Sequence, residues 1–143
     1  MLVSQILREK GHDVIAVLPE VTLLEASVVL AKHRIGALIV QTSGGAFTGI
    51  ISERDIIQAI AEDGPEALAD TVAARMTREV AVCGENTAIE EVMETMTFCR
   101  FRHMPVMEDG RIAGIVSIGD VVKTRIAETL SEAQALKNYI ATG

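Results

Sequence analysis

Two short stretches of this chain carry the same pattern of residue types around two variable positions. They are Gly49-Ile50-Ile51-Ser52-Glu53-Arg54-Asp55-Ile56 and Gly114-Ile115-Val116-Ser117-Ile118-Gly119-Asp120-Val121. Each sets a Ser and an Asp three apart, behind a glycine and two β-branched residues. That spacing supports two chemistries. Ser at a helix N-cap accepts a backbone N–H and Asp in the first turn suits the helix dipole, so the pair can simply start a helix. The same helix start can also bind an anion through its free N–H groups, and the Asp can accept two hydrogen bonds from a vicinal diol. The preceding glycine would let backbone approach such a ligand closely. With apolar strands alongside to sandwich a flat base, the combination describes a nucleotide site and requires no reaction.

Basic residues are distributed unequally around the two stretches. Arg100-Phe101-Arg102-His103-Met104-Pro105 leads into a central strand of the second half, where the first half has Arg34-Ile35-Gly36-Ala37-Leu38-Ile39. Arg102 and His103 could offer a guanidinium and an imidazole to phosphate oxygens. They could equally be a solvated arginine and a histidine bonded within the fold. Arg54, beside Asp55, has the same two readings. Other chemistry lacks its residues: there is no P-loop, no Cys/His pair with a third partner and no metal-ligand spacing, so neither catalysis nor a metal site is expected. Cys83 and Cys99 fit no disulfide framework and read as tolerated thiols of a reducing compartment.

The elements that must position these residues come as an internal repeat. A shift of 65 lays Gly49, Ser52 and Asp55 on Gly114, Ser117 and Asp120, and Val17 and Thr22 on Val82 and Thr87. One extra residue in the helix after Thr87 then aligns Leu30 with Met96 and Val40 with Val106. Each copy reads as a short strand (Val14–Val17, Val80–Val82), then a helix opened by a Thr capping box (Thr22 with Glu25, Thr87 with Glu90). Two strands joined by a turn follow, Ala37–Val40 with Phe47–Ile51 and His103–Met107 with Arg111–Val116; Asp109-Gly110 is a strong hairpin signal. A helix starting at the octet's Ser closes each copy.

The predicted fold is therefore α+β, two β-α-β-β-α units packed with pseudo-twofold symmetry and leaving two equivalent clefts where they meet. Repeat 1 spans 4–62, a linker 63–70, repeat 2 71–127, and a C-terminal helix and tail 128–143. Along Ile126–Ile140 an apolar stripe either packs back on its own domain or grips a second subunit.

Composition narrows the class. At 143 residues with 49% hydrophobic content, the chain suits one packed module, and so few aromatics leave its core to Ile, Val, Leu, Ala and Met. The net charge of −7 argues against nucleic acid and anionic membranes as partners. No membrane span or signal sequence is evident, so the expected location is the cytoplasm.

Taken together, the doubled series of elements, "IGALIV" and "RHMPV" at the central strands and the two octets resemble the CBS (cystathionine β-synthase) domain family, as a free-standing tandem pair or Bateman module. The resemblance covers nearly the whole chain. It implies an adenine nucleotide (AMP, ADP or ATP, with NAD or S-adenosylmethionine possible) between the repeats. By that likeness Asp55 and Asp120 would hold ribose hydroxyls, and Ser52 and Ser117 phosphate or ribose. Arg102 and His103 fall at phosphate-binding positions, with Arg54 a further phosphate candidate. Ile35, Gly36 and Ala37, with Met104 and Pro105, would line adenine pockets. Ala16 and Ala81 stand where many members carry a base-contacting Thr, a departure that leaves base recognition to backbone. The family also implies a homodimer. The function expected is a non-enzymatic regulatory module that signals nucleotide occupancy to an effector protein; the alternative is a dimeric scaffold or regulatory subunit acting through protein contact alone.

Overall fold

The computed structural model describes residues 1–142. It opens with α1 (Val3–Lys10), followed by β1 (Ala16–Val17), α2 (Leu23–His33), β2 (Ala37–Gln41), β3 (Phe47–Ser52) and α3 (Glu53–Asp63). A 3-10 helix (Pro65–Ala69) and α4 (Val72–Arg75) lead to α5 (Ile89–Cys99), β4 (His103–Glu108), β5 (Arg111–Ser117) and α6 (Ile118–Thr142). β1 pairs parallel with β2, and β2 antiparallel with β3; β4 and β5 form the matching antiparallel pair. The α+β double repeat is thus the observed architecture.

Alternation along the strands divides the core into three layers. Leu38 and Val40 of β2 face the helices of the first repeat, whereas Ala37 and Ile39 face the other sheet. All four are buried because both faces of the sheet are covered, which explains their unbroken apolar run. Ile50 joins Ala37 and Ile39 in the layer between repeats, with Ile112 and Ile115 packed against it. In β4, Met104 and Val106 point into the helix-side core of the second repeat.

Each core is completed by the short helix that precedes the other repeat. Val3, Ile6 and Leu7 of α1 belong to the core of the second repeat, and Val72 of α4 to that of the first. The backbone repeats the exchange: the N–H of Val3 bonds the carbonyl of Thr87, and the N–H of Val72 that of Val21. Neither repeat closes without its visitor.

This arrangement corrects several sequence expectations. The glycine of the octet makes room for the chain itself rather than for a ligand. A Cβ at Gly49 would meet the Thr77 carbonyl oxygen at 2.5 Å, and one at Gly114 would meet the Leu7 Cδ2 at 2.7 Å. The opening strand of the second repeat shrinks to a single parallel bridge from Cys83 to Val106. In the first repeat the N–H of Ile39 donates to the Ile15 carbonyl. Its counterpart is Pro105, which has no N–H, so the matching rung cannot form.

Because Val17 pairs with Val40 and Cys83 with Val106, Val17 corresponds to Cys83 rather than Val82. The extra residue therefore precedes the helix, and the N-cap equivalent to Thr22 is Ala88. Thr87 instead closes a turn, its hydroxyl accepting the N–H of Gly84 at 2.9 Å, so the expected second capping box is absent.

The C-terminal helix is not a separate element. α6 runs 25 residues without a break from the octet. Its stripe does not fold back: Ile126, Leu130, Leu136, Tyr139 and Ile140 are all more than half exposed.

Candidate functional site

The Ser–Asp pairs do begin helices. At α3 the Ser52 hydroxyl accepts the Asp55 N–H at 3.2 Å, while Asp55 Oδ2 accepts both the Ser52 N–H (2.9 Å) and its hydroxyl (3.0 Å). At α6 the Ser117 N–H donates to Asp120 Oδ2 at 2.8 Å and the Asp120 N–H to the Ser117 hydroxyl at 3.1 Å. These reciprocal bonds fix both carboxylates at the seam between the repeats.

A cavity of about 210 Å³ opens in front of the first pair. One wall is Ile50, Ser52, Glu53, Arg54 and Asp55 with Gly36; the other comes from the second repeat, Arg100, Phe101, Arg102 and His103. Thr77, Glu79, Val80 and Ala81 close the third side. Ile50, Phe101, Val80 and Ala81 supply apolar surface, and three arginines (Arg54, Arg100, Arg102) share the rim with three acids (Glu53, Asp55, Glu79). Asp55 Oδ1, the oxygen free of the cap, accepts only the Thr77 hydroxyl, at 3.2 Å. That leaves acceptor capacity for a diol.

His103 crosses the seam and packs on Gly36, where a Cβ would lie 3.2 Å from the imidazole Cε1. A side chain at position 36 would push the ring away. Burial holds the His103 pKa below the ordinary histidine value; Lys10 and Arg102 act in the same sense, and Glu53 and Asp120 oppose them. The neutral imidazole is therefore favoured at pH 7.

Of the residues singled out from sequence, Ser52, Arg54, Asp55, Gly36, Ala81, Arg102 and His103 come together around this cavity. Ser117 and Asp120 sit at the opposite, pseudo-equivalent seam. Ala37 and Ala16 lie in the layer between the sheets, and Ile35 packs against the core of the first repeat. Met104 is 2% exposed in the helix-side core, so it does not face a cleft as expected. Strand alternation dictates this, since it alternates with His103 and Pro105 along β4. Pro105 is buried as well.

Sequence reasoning passed over Arg100, Thr77, Glu79 and Lys10. Arg100 ends α5 in a left-handed conformation (φ 59°), the counterpart of Arg34 (φ 54°). Lys10, the last residue of α1, reaches the second seam, where its Nζ lies 2.7 Å from Asp120 Oδ2 and 2.9 Å from the Ile115 carbonyl oxygen. Burial alone would raise the Asp120 pKa, but the hydrogen bonds from Lys10 and Ser117 outweigh it and hold the carboxyl below its usual range.

Cys83 and Cys99 are unpaired, and burial, aided by Glu91, pushes the Cys83 thiol up to about 11, an inert core group. Among the described residues no cluster of His, Cys, Asp and Glu suits a metal ion, and no helix is long and apolar enough to cross a membrane.

The CBS domain model matches this chain twice, over residues 3–62 and 69–127. The chain belongs to the CBS domain family. A mitochondrial CBS domain-containing protein of Arabidopsis thaliana, CBSX3, is 38% identical over 127 residues; the match covers 85% of this chain and 61% of that one. The chain thus spans somewhat less than two thirds of that relative. A CBS-domain-containing protein of Agrobacterium tumefaciens superposes with a TM-score of 0.86 at 46% identity, covering 87% of this chain and 99% of the other. The CBS domain pair of the protein MJ0100 was solved in complex with 5′-methylthioadenosine and S-adenosyl-L-methionine. It superposes with a TM-score of 0.78 at 28% identity, covering 90% of this chain and 98% of that one. This chain is accordingly a CBS domain pair, a fold whose exchanged helices and central seam are those described above.

Proposed function

We propose that this CBS pair is a non-enzymatic regulatory module that binds an adenine nucleotide in the Ser52–Asp55 cavity and presents occupancy to a partner protein. One observation carries the reading. A single cavity joins a cap carboxylate with a free oxygen, an apolar floor and three arginines contributed by both repeats. Asp55 Oδ1 takes the ribose hydroxyls, and Ile50, Val80 and Ala81 face the base. Arg54, Arg100 and Arg102 receive phosphate, with His103 gaining a proton as the anion arrives. Because residues of both repeats surround one ligand, its binding stiffens the seam between them, and that is the change a partner can read. The adenosine compounds held by the MJ0100 pair support the ligand class. The arginines favour AMP, ADP, ATP or NAD over S-adenosylmethionine, whose sulfonium is cationic.

Thermal unfolding with each compound at millimolar concentration tests the reading. AMP, ADP or ATP should raise Tm by several degrees, and Asp55→Ala should reduce the shift. No shift with any of them would return the module to the scaffold reading.

A homodimer is part of the same proposal. Ile126, Leu130, Leu136, Tyr139 and Ile140 leave a row of large apolar side chains exposed along α6, a feature of interaction surfaces when contiguous. Light scattering should give twice the chain mass, and Leu130→Glu with Ile140→Glu should halve it. The two unpaired cysteines suit the cytoplasm.

A further inference from the structure

The two seams are built on one plan but are not equally open. At the first, the oxygen of Asp55 left over from the cap meets a neutral hydroxyl that can turn aside. At the second, a cation of the chain lies against the carboxylate, on the oxygen that also serves the cap. Lys10 Nζ donates to Asp120 Oδ2, which also accepts the Ser117 N–H, and a second Nζ hydrogen goes to the Ile115 carbonyl. Two of the three ammonium protons are thereby spent on the Asp120 carboxylate and on the strand backbone beside it.

We propose that Lys10 is an internal occupant of the Ser117–Asp120 cleft, holding it closed to nucleotide while the Ser52–Asp55 cavity stands open. The inference deepens the nucleotide reading and rests on it: it sets how many ligands one chain takes, and in which order. Three features of the structure favour a fixed occupant over a casual surface pair. The ammonium is held by a carboxylate and a backbone carbonyl together, so it is aimed by two partners. Its backbone cannot drift, because α1 is pinned by Val3, Ile6 and Leu7 in the core of the second repeat. Asp120 is itself fixed by the cap of α6, so neither partner is free to swing away.

A ligand diol that bonds both carboxylate oxygens of Asp120 must displace Lys10 from Oδ2. That exchange trades one charge-assisted hydrogen bond for neutral ones, which weakens the second cleft by about tenfold relative to the first. Removing the ammonium while keeping an aliphatic stem should open the cleft. The pseudo-symmetry then makes the two sites alike in their Ser and Asp, differing only in the flanking charges.

Titration calorimetry with AMP on four proteins tests this: wild type, Lys10→Met, Asp55→Ala, and Asp55→Ala with Lys10→Met. Wild type should bind one AMP per chain tightly, with any second event about tenfold weaker. Lys10→Met should bind two with affinities close together. Asp55→Ala should lose the tight event, and adding Lys10→Met to it should restore binding by about tenfold, now sensitive to Asp120→Ala. Should Lys10→Met leave the second event unchanged, or weaken it, Lys10 is not an occupant and the inference falls while the first site stands. A wild-type protein that binds no AMP would overturn the nucleotide reading itself. Lys10 ends α1 on the protein surface, so its replacement leaves the core intact, and unchanged circular dichroism of Lys10→Met confirms that the comparison is made between folded proteins.

Discussion

Asp55 faces a threonine hydroxyl at 3.2 Å, whereas Asp120 faces a lysine ammonium at 2.7 Å. Both carboxylates grow from the same octet, cap their helices in the same way and sit at pseudo-equivalent seams. The difference comes from neither repeat's own motif but from the visiting segment. The segment just after α4 brings Thr77 to the first seam, and the end of α1 brings Lys10 to the second. In this fold the repeats supply the cap and the pocket floor, and the exchanged helices decide what the carboxylate meets. A duplicated motif can therefore yield two different sites without any change within the motif.

Packing at the visitors offers the strongest ways to break the comparison. Leu7→Ala removes a fully buried side chain from the core that α1 completes, and should cost about 3 kcal/mol in urea unfolding. A cost under about 1 kcal/mol would mean that the second repeat closes without α1. Gly49→Ala comes next. Its Cβ strikes the Thr77 carbonyl, which is backbone bonded in both directions to Ile50, so about 2 kcal/mol should be lost.

Gly114→Ala meets only the tip of Leu7 and should cost about 1 kcal/mol. The added methyl should cost less still in the Leu7→Ala background, where it enters the space vacated. Additive losses in that double variant would show that Gly114 and Leu7 are not coupled.

The smallest effects are in pH. The folded pKa of His103 is lowered by burial, so the native state binds fewer protons there than the unfolded chain. Stability from this group is complete above the unfolded value of about 6.5 and declines as pH falls through the lower folded pKa. His103→Gln should flatten that slope in Tm measured between pH 7.5 and 5.5. An anionic nucleotide raises the same pKa, so AMP affinity should increase as pH falls over that interval in wild type and not in His103→Gln. At more acidic pH the depressed pKa of Asp120 gives stability that is present above about 3.9 and lost as the carboxyl protonates below it. Lys10→Met should make that loss shallower.

Most of the architecture could be read from the chain because the repeat doubles each weak signal. The octets, the hairpin at Asp109-Gly110 and the apolar run of β2 each named an element that the structure contains. The errors have specific physical origins. A proline at position 105 removed one ladder bond and with it most of a strand, a loss that hydrophobic pattern does not register. A one-residue offset moved the cap from Thr87 to Ala88, since Thr-x-x-Glu looks like a capping box wherever it falls. The family resemblance assigns Met104 to the pocket, but the residue alternates with His103 along β4 and so faces the helix-side core.

Lys10 and Thr77 were invisible for a deeper reason. Their segments share no pattern with one another, and each works on a repeat other than the one it leads into. Only the tertiary exchange of helices brings a lysine at position 10 to an aspartate at position 120.

Crystals grown with AMP would test the central claim most directly. The account predicts one nucleotide per chain between the repeats, its ribose hydroxyls on Asp55 and its phosphate among Arg54, Arg100 and Arg102, with Lys10 still on Asp120. A nucleotide seated on Asp120 with Lys10 displaced, while the Ser52–Asp55 cavity holds only solvent, would contradict it.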